Sequence, residues 1–253
     1  MNVGLQLYTL RKMAADNFVD MLQKVANIGY QGVEFAGYGG LSINELKHVL
    51  NELGLQAVSA HISLEELLKD DAPLEDALSL GLSYVICPWL PKMKRQHIDD
   101  YRAIAKKLKM VAEKYARHGL VVGYHNHAFE FESQSDDGSS GLEIILNEAP
   151  SLQAELDVYW LEYAGKSAVD YITRYAGRCE VIHIKDMADD EDKSFAEVGA
   201  GTMNIPAIIE AANHSGTKWM FVEQDVCKKD PLQSVTESFD YLLRLGVVGG
   251  ENF

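Results

Sequence analysis

Two histidines, His125 and His127, stand two residues apart at the end of an apolar, β-forming run, Leu120-Val-Val-Gly-Tyr-His-Asn-His127. Side chains at positions i and i+2 of a strand point to the same side, so both imidazoles would leave the tip of this strand together. Neutral imidazole is the commonest metal ligand in proteins, and it titrates near neutral pH. The spacing therefore indicates a metal or proton-transfer site, with one core and one rim histidine as the alternative.

Ionisable residues recur at the ends of other runs that read as strands. The further set comprises Glu34, His61, Asp157, His183, Lys185, Glu223 and Asp225. Bringing so many ionisable groups together inside a protein is costly unless they pair with one another or bind a cation. A fold that gathers them at one place would therefore form a charge-paired or cation-binding site.

The elements that must position these residues form a regular alternation of strands and helices. Strands are predicted at 3–8, 32–35, 55–61, 83–87, 120–127, 152–157, 180–185 and 219–224. Helical periodicity separates them, with a capping box at Ser42 and Glu45 and a glycine stop at Gly119. Strand and helix in alternation indicate a parallel sheet.

Eight such units in 253 residues predict a closed (β/α)8 barrel that forms a single domain over residues 1–253. A doubly wound sheet would carry a glycine-rich phosphate loop after its first strand. The segment Leu7-Tyr-Thr-Leu-Arg11 stands there instead, with no glycine cluster. We therefore favour the barrel, with its active site at the C-terminal ends of the strands.

Composition narrows the class of protein. The chain is 47% hydrophobic, and its 38 acidic against 23 basic residues give a formal net charge of −15. This balance opposes electrostatic binding of a nucleic-acid backbone. Three cysteines without a CxxC pair indicate a reducing compartment. The N-terminus enters a strand at once, and no apolar run is long enough to cross a bilayer. We expect a soluble, cytoplasmic protein with no membrane partner.

The barrel prediction brings four ionisable residues to one point. His125, Asp157, His183 and Glu223 end four successive strands and would converge on a divalent metal ion. Two imidazoles with two carboxylates suit Mn²⁺, Zn²⁺ or Co²⁺, with Fe²⁺ or Mg²⁺ as alternatives. Spacing leaves open whether His125 or His127 is the ligand, because both share a face.

Each of these residues also has a simpler structural role. Asp157 could cap the following loop, and His183 could be a hydrogen-bonded core histidine. Glu223 could form an ion pair with Lys185. For Glu34 and His61, hydrogen bonding at the barrel rim is as well supported as contact with a substrate.

Short motifs at the strand ends resemble those of the sugar phosphate isomerase/epimerase family, the xylose-isomerase-like TIM barrels. These motifs are Gly123-Tyr-His-Asn-His127, Phe129-Glu-Phe131, Leu156-Asp-Val-Tyr-Trp160, His183-Ile-Lys-Asp186, Gly199-Ala-Gly201 and Val222-Glu-Gln-Asp225. The resemblance covers nearly the whole chain in matching order. It implies metal ligation by Asp157, His183, Glu223 and a carboxylate on the fifth strand. The sequence departs there, since His125 stands at that position.

The resemblance implies a metal-dependent sugar isomerase or epimerase that abstracts a proton next to a sugar carbonyl and forms an enediolate. Catalytic candidates are Glu223 as the base and His125 or His127 as its partner. Candidates for substrate binding are Glu34, His61, Trp160 and Lys185, with Trp89 as a second aromatic wall. The histidine on the fifth strand argues against a simple two-glutamate epimerisation, because the family's epimerases move protons with glutamates on strands five and eight.

Other reactions and classes stay open. Loss of a β-substituent from the same intermediate would make the protein a dehydratase or lyase on a keto-sugar, an inosose or a 3-keto-glycoside. A non-catalytic sugar-binding barrel would need no metal, and an abasic-DNA endonuclease conflicts with the net charge of −15. The missing phosphate cradle favours an unphosphorylated sugar. Barrels of this family often associate, so a homodimer is compatible with the resemblance.

Overall fold

A computed structural model describes residues 1–248 of the protein. Eight parallel strands close into a barrel and confirm the predicted (β/α)8 fold. They are β1 (Asn2–Gln6), β2 (Gly32–Phe35), β3 (Gln56–His61), β4 (Tyr84–Cys87), β5 (Val121–His125), β6 (Gln153–Asp157), β7 (Val181–Ile184) and β8 (Trp219–Val222). The predicted domain runs to residue 253, and its last five residues lie outside the described residues.

Helices connect the strands on the outside of the barrel. Within residues 1–248 the α-helices are Arg11–Asp16, Phe18–Ile28, Ile43–Leu53, Leu64–Lys69, Ala72–Leu80, Ile98–Ala116, Gly141–Glu148, Val158–Tyr163, Ala168–Arg174, Ile205–His214 and Pro231–Arg244. Short 3-10 helices occupy Leu7–Leu10, Lys92–Lys94 and Phe129–Phe131. In this part of the chain, none of the helices has both the length and the apolar character needed to cross a membrane.

Local hydrogen bonds set the ends of these elements. The predicted capping box is present, because Ser42 Oγ accepts from the Glu45 backbone N–H and Glu45 Oε2 accepts from the Ser42 backbone N–H at 3.0 Å. The first strand was expected to reach Tyr8 but ends at Gln6. The Gln6 side chain accepts from the Tyr8 backbone N–H at 2.9 Å, which turns the chain into a 3-10 helix.

The strand register places the predicted site residues side by side. Asp157 on β6 lies opposite His183 on β7, and His183 lies opposite Phe221 on β8. On the other side of β6, Glu155 lies opposite His125 at the end of β5. Because the ladder is parallel, the carboxyl ends of all these strands meet at the same end of the barrel.

The opposite, N-terminal half of the barrel interior is apolar, and we call it the lower half. Its buried side chains are Val58, Tyr84, Ile86, Val181, Trp219 and Phe221. Glycines on neighbouring strands make room for them: a Cβ at Gly123 would lie 2.6 Å from Ile86 Cδ1, and one at Gly4 would overlap the Phe221 ring. A larger apolar core fills the layer between the barrel and its helices.

Candidate active site

The C-terminal half of the barrel interior, the upper half, gathers the ionisable residues predicted from the sequence. Asp157 and His183 are fully buried, and His125 and Glu223 are 2% and 6% exposed. All four side chains meet inside the barrel rather than pointing outward to water. The convergence expected from the strand ends is therefore what the structure has.

His125, Asp157, His183 and Glu223 form what we call the outer quartet. Each offers one ligand atom, and these four atoms lie within 4.8 Å of one another. His183 Nδ1 lies 2.9 Å from Glu223 Oε2, and His125 Nε2 lies 3.7 Å from Asp157 Oδ2. Neighbouring ligands of a tetrahedral zinc ion, bound at about 2.0–2.1 Å, are ~3.4 Å apart. The spacing and the mixed nitrogen and oxygen donors fit a divalent transition metal.

A second carboxylate layer lies beneath the outer quartet. Glu155 Oε2 lies 2.8 Å from His61 Nε2, 3.1 Å from His125 Nδ1 and 3.3 Å from His183 Nε2. Glu34 Oε1 lies 2.6 Å from His183 Nε2 and 2.9 Å from His61 Nε2. We call Glu34 and Glu155 the inner carboxylates. His61, His125, Glu155 and His183 also have ligand atoms within 4.8 Å of one another.

Glu34, for which the sequence left rim hydrogen bonding and substrate contact as alternatives, is buried beneath His61 and His183. It has no exposed surface, and it accepts hydrogen bonds from Gln6 Nε2 at 2.7 Å and from Ser59 Oγ. Its other contacts are the two histidines above it. Gln6 and Ser59 lie opposite Glu34 on the two neighbouring strands, so these contacts hold the carboxylate in place from both sides.

Lys185 is buried among three carboxylates. Its Nζ lies 2.8 Å from Asp157 Oδ2, 2.7 Å from Glu223 Oε2 and 2.7 Å from Asp225 Oδ2. Burial alone would lower the pKa of Lys185, but the three carboxylates outweigh it and raise the pKa well above its usual range. The ion pair between Glu223 and Lys185, which the sequence left as a simpler role for Glu223, is present together with the outer quartet.

The surroundings push the pKa values of the buried acids apart. Burial and the neighbouring Glu34 raise the pKa of Glu155 to about 7. Burial acts in the same direction on Glu34, but His61 and His183 outweigh it and hold the pKa of Glu34 well below its usual range. Glu223 is likewise held low by Lys185 and His183 despite its burial. One inner carboxylate therefore retains its proton more readily than the other.

The surroundings also push the pKa values of the histidines apart. Burial lowers the pKa of His61, but Glu34 and Glu155 outweigh it and raise the value to about 9. Burial, helped by His183, holds the pKa of His125 well below its usual range. Burial and Lys185 lower the pKa of His127 to about 3. His125 and His127 are therefore neutral at neutral pH, which is the form that can bind a metal or accept a proton.

The chain leaves the sheet directly after His125, so His127 lies on a loop and not on the strand as expected. The His127 backbone N–H donates to Glu130 Oε2 at 2.9 Å, and the Asp157 backbone N–H donates to Asn126 Oδ1 at 3.0 Å. The two imidazoles are still neighbours, with ring centroids 5.0 Å apart. Among the described residues, His127 belongs to neither group of potential ligands, and its Nδ1 is buried without a partner.

A cavity of about 560 Å³ opens above the site. Its lining residues are Tyr8, Ala36, Pro88, Trp89, His61, His125, His127, Glu223 and Asp225. Pockets of this size accommodate small organic ligands. Of the two tryptophans considered as ring walls, Trp89 lines this cavity. Trp160 packs against the His127 ring, with centroids 5.5 Å apart, and against Phe195.

The loop after β7 is fastened by one buried carboxylate. Asp186 accepts from the backbone N–H groups of Gly199, Gly201 and Met203 at 2.9, 3.1 and 3.1 Å. A Cβ at Gly201 would overlap the Asp186 carboxylate, which explains the second glycine of the Gly199-Ala-Gly201 motif. This contact holds the loop beside Lys185.

Sequence reasoning missed Glu155, Asn126 and Glu130. A signal existed for Glu155, because it lies two residues before Asp157 on the same strand and must share its face. Glu130 is fully buried, accepts from Tyr124 OH at 2.6 Å, and has its pKa raised to about 8 by burial. No sequence pattern distinguishes such a buried acid in a short 3-10 helix from a solvated one.

Comparison with known proteins defines the class. The model of the xylose isomerase-like TIM barrel family matches residues 22–245, and the chain belongs to this family. The family expected from the strand-end motifs is thereby confirmed. The comparison also agrees with the closed eight-stranded barrel seen in the structure.

Two of the similar proteins are named as enzymes. An inosose dehydratase of Glaesserella parasuis is 23% identical, over 93% of this chain and 90% of its own length. A crystal structure of a sugar phosphate isomerase/epimerase from Parabacteroides distasonis is 26% identical, has a TM-score of 0.79, and covers 95% of this chain and 93% of its own. The IOLI protein, whose structure contains a zinc atom, has a TM-score of 0.77 at 13% identity, with 97% and 98% covered, a likeness of fold alone.

Proposed function

We propose that the protein is a metal-dependent enzyme that removes a proton next to the carbonyl group of a polyhydroxylated ketone, such as a keto-sugar. Returning the proton at another face or carbon would give an epimer or an isomer. The observation that carries this proposal is the buried outer quartet at the base of an open cavity. Its donor atoms lie within 4.8 Å of one another. The neighbouring His127 has a ring nitrogen, Nδ1, without a hydrogen-bond partner among the described residues.

The cation would be held by His125, Asp157, His183 and Glu223. His125 is the better candidate than His127 for the ligand from the fifth strand, because only His125 has a ring nitrogen grouped with the other three donors. When bound, a divalent cation supplies Lewis acidity that makes the proton next to a carbonyl easier to remove and lowers the energy of the enediolate.

Glu223 is the proposed proton acceptor. It lines the cavity, and the low pKa that Lys185 and His183 impose keeps its carboxylate ionised. His127 is the proposed partner on the other side of the substrate. It is neutral and lines the same cavity, and its Nδ1 has no hydrogen-bond partner among the described residues. General acid–base catalysis of this kind typically contributes about 10²–10⁴-fold in rate.

His61 and Trp89 would bind and orient the substrate. His61 lines the cavity and carries a positive charge because Glu34 and Glu155 raise its pKa to about 9. It can therefore donate a hydrogen bond to a hydroxyl or carbonyl oxygen. The Trp89 side chain offers an apolar wall for the carbon skeleton. Lys185 fixes the position of Glu223 through their ion pair at 2.7 Å.

Dehydration is the second candidate reaction. After the same proton abstraction, a β-hydroxyl group could leave with a proton, and the charged His61 is placed at the cavity to supply one. A curated relative with 93% coverage of this chain is named an inosose dehydratase, which supports this alternative. The two reactions share every residue up to the enediolate and differ in its fate.

A panel of keto-inositols and keto-sugars, incubated in D₂O with Zn²⁺, Mn²⁺ or Co²⁺, tests the proposal. NMR would follow exchange of the proton next to the carbonyl, and an absorbance assay would follow enone formation. We expect Glu223→Gln to reduce exchange about 10²–10⁴-fold. Asp225→Asn is the matched control, because Asp225 also pairs with Lys185 but is absent from both ligand groups of the described residues.

The outcomes separate the classes. Exchange with a new stereoisomer supports the isomerase or epimerase, and exchange with enone supports the dehydratase. A purified protein that takes up no divalent cation would contradict the metal-dependent reaction and favour a sugar-binding barrel. Undiminished exchange in Glu223→Gln would exclude Glu223 as the proton acceptor.

A further inference from the structure

We infer that Glu34 and Glu155 are positioning residues that fix opposite tautomers of His125 and His183, so that each imidazole turns the correct nitrogen toward the cation. The inference rests on the proposed metal site. It concerns how the protein orients the two nitrogen ligands, and the geometry of the two rings carries it.

His125 and His183 belong to both groups of potential ligands, and each ring has one nitrogen facing the outer quartet and the other facing the inner carboxylates. His125 Nε2 lies 3.7 Å from Asp157 Oδ2 in the outer quartet, whereas its Nδ1 lies 3.1 Å from Glu155 Oε2 below. The two nitrogens of this ring therefore face carboxylates with different roles. Only one of them can carry the hydrogen of a neutral imidazole.

His183 has the opposite orientation. Its Nδ1 lies 2.9 Å from Glu223 Oε2 in the outer quartet, and its Nε2 lies 2.6 Å from Glu34 Oε1 and 3.3 Å from Glu155 Oε2 below. The outward nitrogen is thus Nε2 in His125 and Nδ1 in His183. A single tautomer for both rings would turn one lone pair away from the cation.

The inner carboxylates select the required pair of tautomers. Glu155 Oε2 faces His125 and Glu34 Oε1 faces His183, and a carboxyl oxygen without a hydrogen only accepts, so each oxygen favours the hydrogen on the ring nitrogen that faces it. His125 then carries its hydrogen on Nδ1 and His183 on Nε2, which leaves both lone pairs directed at the outer quartet. A histidine that binds a metal usually donates its other N–H to a carboxylate or carbonyl oxygen in this way.

Neighbouring side chains hold the two inner carboxylates beside the rings of His125 and His183. Neither has exposed surface, and His61 Nε2 lies within 2.9 Å of Glu34 Oε1 and 2.8 Å of Glu155 Oε2. Glu34 is also held by Gln6 and Ser59. Glu155 Oε1 has no hydrogen-bond partner among the described residues, so Glu155 acts on the histidines through Oε2 alone.

The competing arrangement places the cation lower, on His61, His125, Glu155 and His183. These residues also offer four ligand atoms within 4.8 Å of one another. In that arrangement the coordinating nitrogens would be His125 Nδ1 and His183 Nε2, the reverse of the inferred pair. The two arrangements therefore differ in an observable property of each ring.

Long-range ¹H–¹⁵N NMR of histidine-labelled protein loaded with Zn²⁺ makes the distinction without any substitution. We expect zinc-coordinated Nε2 and protonated Nδ1 in His125, and zinc-coordinated Nδ1 and protonated Nε2 in His183. Single variants His125→Gln and His183→Gln assign the signals. The reversed pattern would overturn the inference and place the cation in the lower group.

Zinc affinity, measured by competition with a chelator, provides the second readout. We expect Glu155→Gln and Glu34→Gln to weaken zinc binding about 10–100-fold, since loss of such a carboxylate has an effect of this size. Glu180→Gln is the matched control at the other end of the barrel, where Glu180 accepts from Tyr84 OH at 2.6 Å. Its zinc affinity should equal that of the wild type.

The results separate this inference from the proposed function. If the wild type binds no zinc, both fail. If the wild type binds zinc and both inner variants keep its affinity and tautomers, only the positioning role fails. If Glu155→Gln abolishes binding altogether while Asp157→Asn retains it, the cation lies on the lower group and the inference is wrong.

Discussion

The two halves of the barrel interior are built from the same strands but have opposite chemistry. Along the inner face of β8, Trp219 and Phe221 lie in the lower half, and Glu223 follows in the upper half. On β7, Val181 is succeeded by His183. The inward positions alternate along each strand, so one short segment supplies both a packed apolar layer and a layer of ionisable groups. Residues of the lower half therefore stabilise the fold, whereas residues of the upper half would act on a ligand.

Different forces hold the two halves. The lower half is stabilised by burial and close packing of apolar groups, so a substitution there costs the free energy of a cavity or a clash. The upper half consists of buried charged groups, each of which is stabilised by a neighbouring group of opposite charge. A substitution there costs the free energy of an uncompensated charge. Bound metal should relieve the second kind of cost and not the first.

Lys185→Met gives the largest expected effect. Removing the ammonium group leaves Asp157 and Glu223 buried without their cationic partner, and breaking a buried ion pair in this way destabilises a protein by about 3–5 kcal/mol. Zn²⁺ should recover part of the loss, because a cation on the outer quartet neutralises the same carboxylates. Urea denaturation with Zn²⁺ and with a chelator measures both values.

Lys218→Met is the matched control for that change. Lys218 Nζ lies 2.9 Å from Glu180 Oε1 at the lower end of the barrel, but its side chain is 60% exposed. Exposed ion pairs contribute about 0–1 kcal/mol, so this variant should lose little and should not respond to Zn²⁺ differently from the wild type. Equal losses in the two variants would contradict the difference between the halves.

Gly123→Ala tests the packed lower half. The new Cβ would lie 2.6 Å from Ile86 Cδ1 and 3.2 Å from the Gln153 carbonyl oxygen, and overpacking of this kind costs about 1–3 kcal/mol. Ile86→Val should relieve the side-chain clash, so the double variant should be more stable than the sum of the two single losses predicts. Zinc affinity should stay within a few-fold of the wild type. A large loss of affinity would show that the halves are coupled.

Ser42→Ala lies outside both halves and gives the smallest expected effect. It removes the hydroxyl that caps the helix Ile43–Leu53, and loss of such a cap costs about 1 kcal/mol. Thermal unfolding should show a modest fall in Tm with an unchanged response to Zn²⁺. A change in that response would mean that zinc-induced stabilisation does not report on the upper half alone.

The sequence predicted the fold well, because the signals involved are local. Gly32–Phe35 is a strand with the predicted bounds, and the helix that follows it begins after the capping residue Ser42 as expected. The errors arise where a side chain overrides the local pattern. Gln6 turns the first strand two residues early, and the hydrogen bonds of Asn126 and Glu130 take His127 off the fifth strand.

The site was predicted less completely, because its depth depends on contacts across the barrel. Alternation along a strand shows that Glu155 shares the face of Asp157, but not that it meets His61, which is 94 positions away in the chain. In the same way, the sequence named Glu34 and Lys185 but could not show that both are buried and committed to other charges. Strand ends reveal which residues face inward, and only the closed barrel reveals their partners.

The packed lower half of the barrel limits how a ligand can enter and leave the site. Since large side chains fill the lower half, a reactant and its product would have to pass through the same cavity opening. The side chains of Tyr8 and Trp89, which are 42% and 49% exposed, line this cavity. A compound bound against these rings would block the cavity opening. It would slow the release of product as well as the binding of reactant.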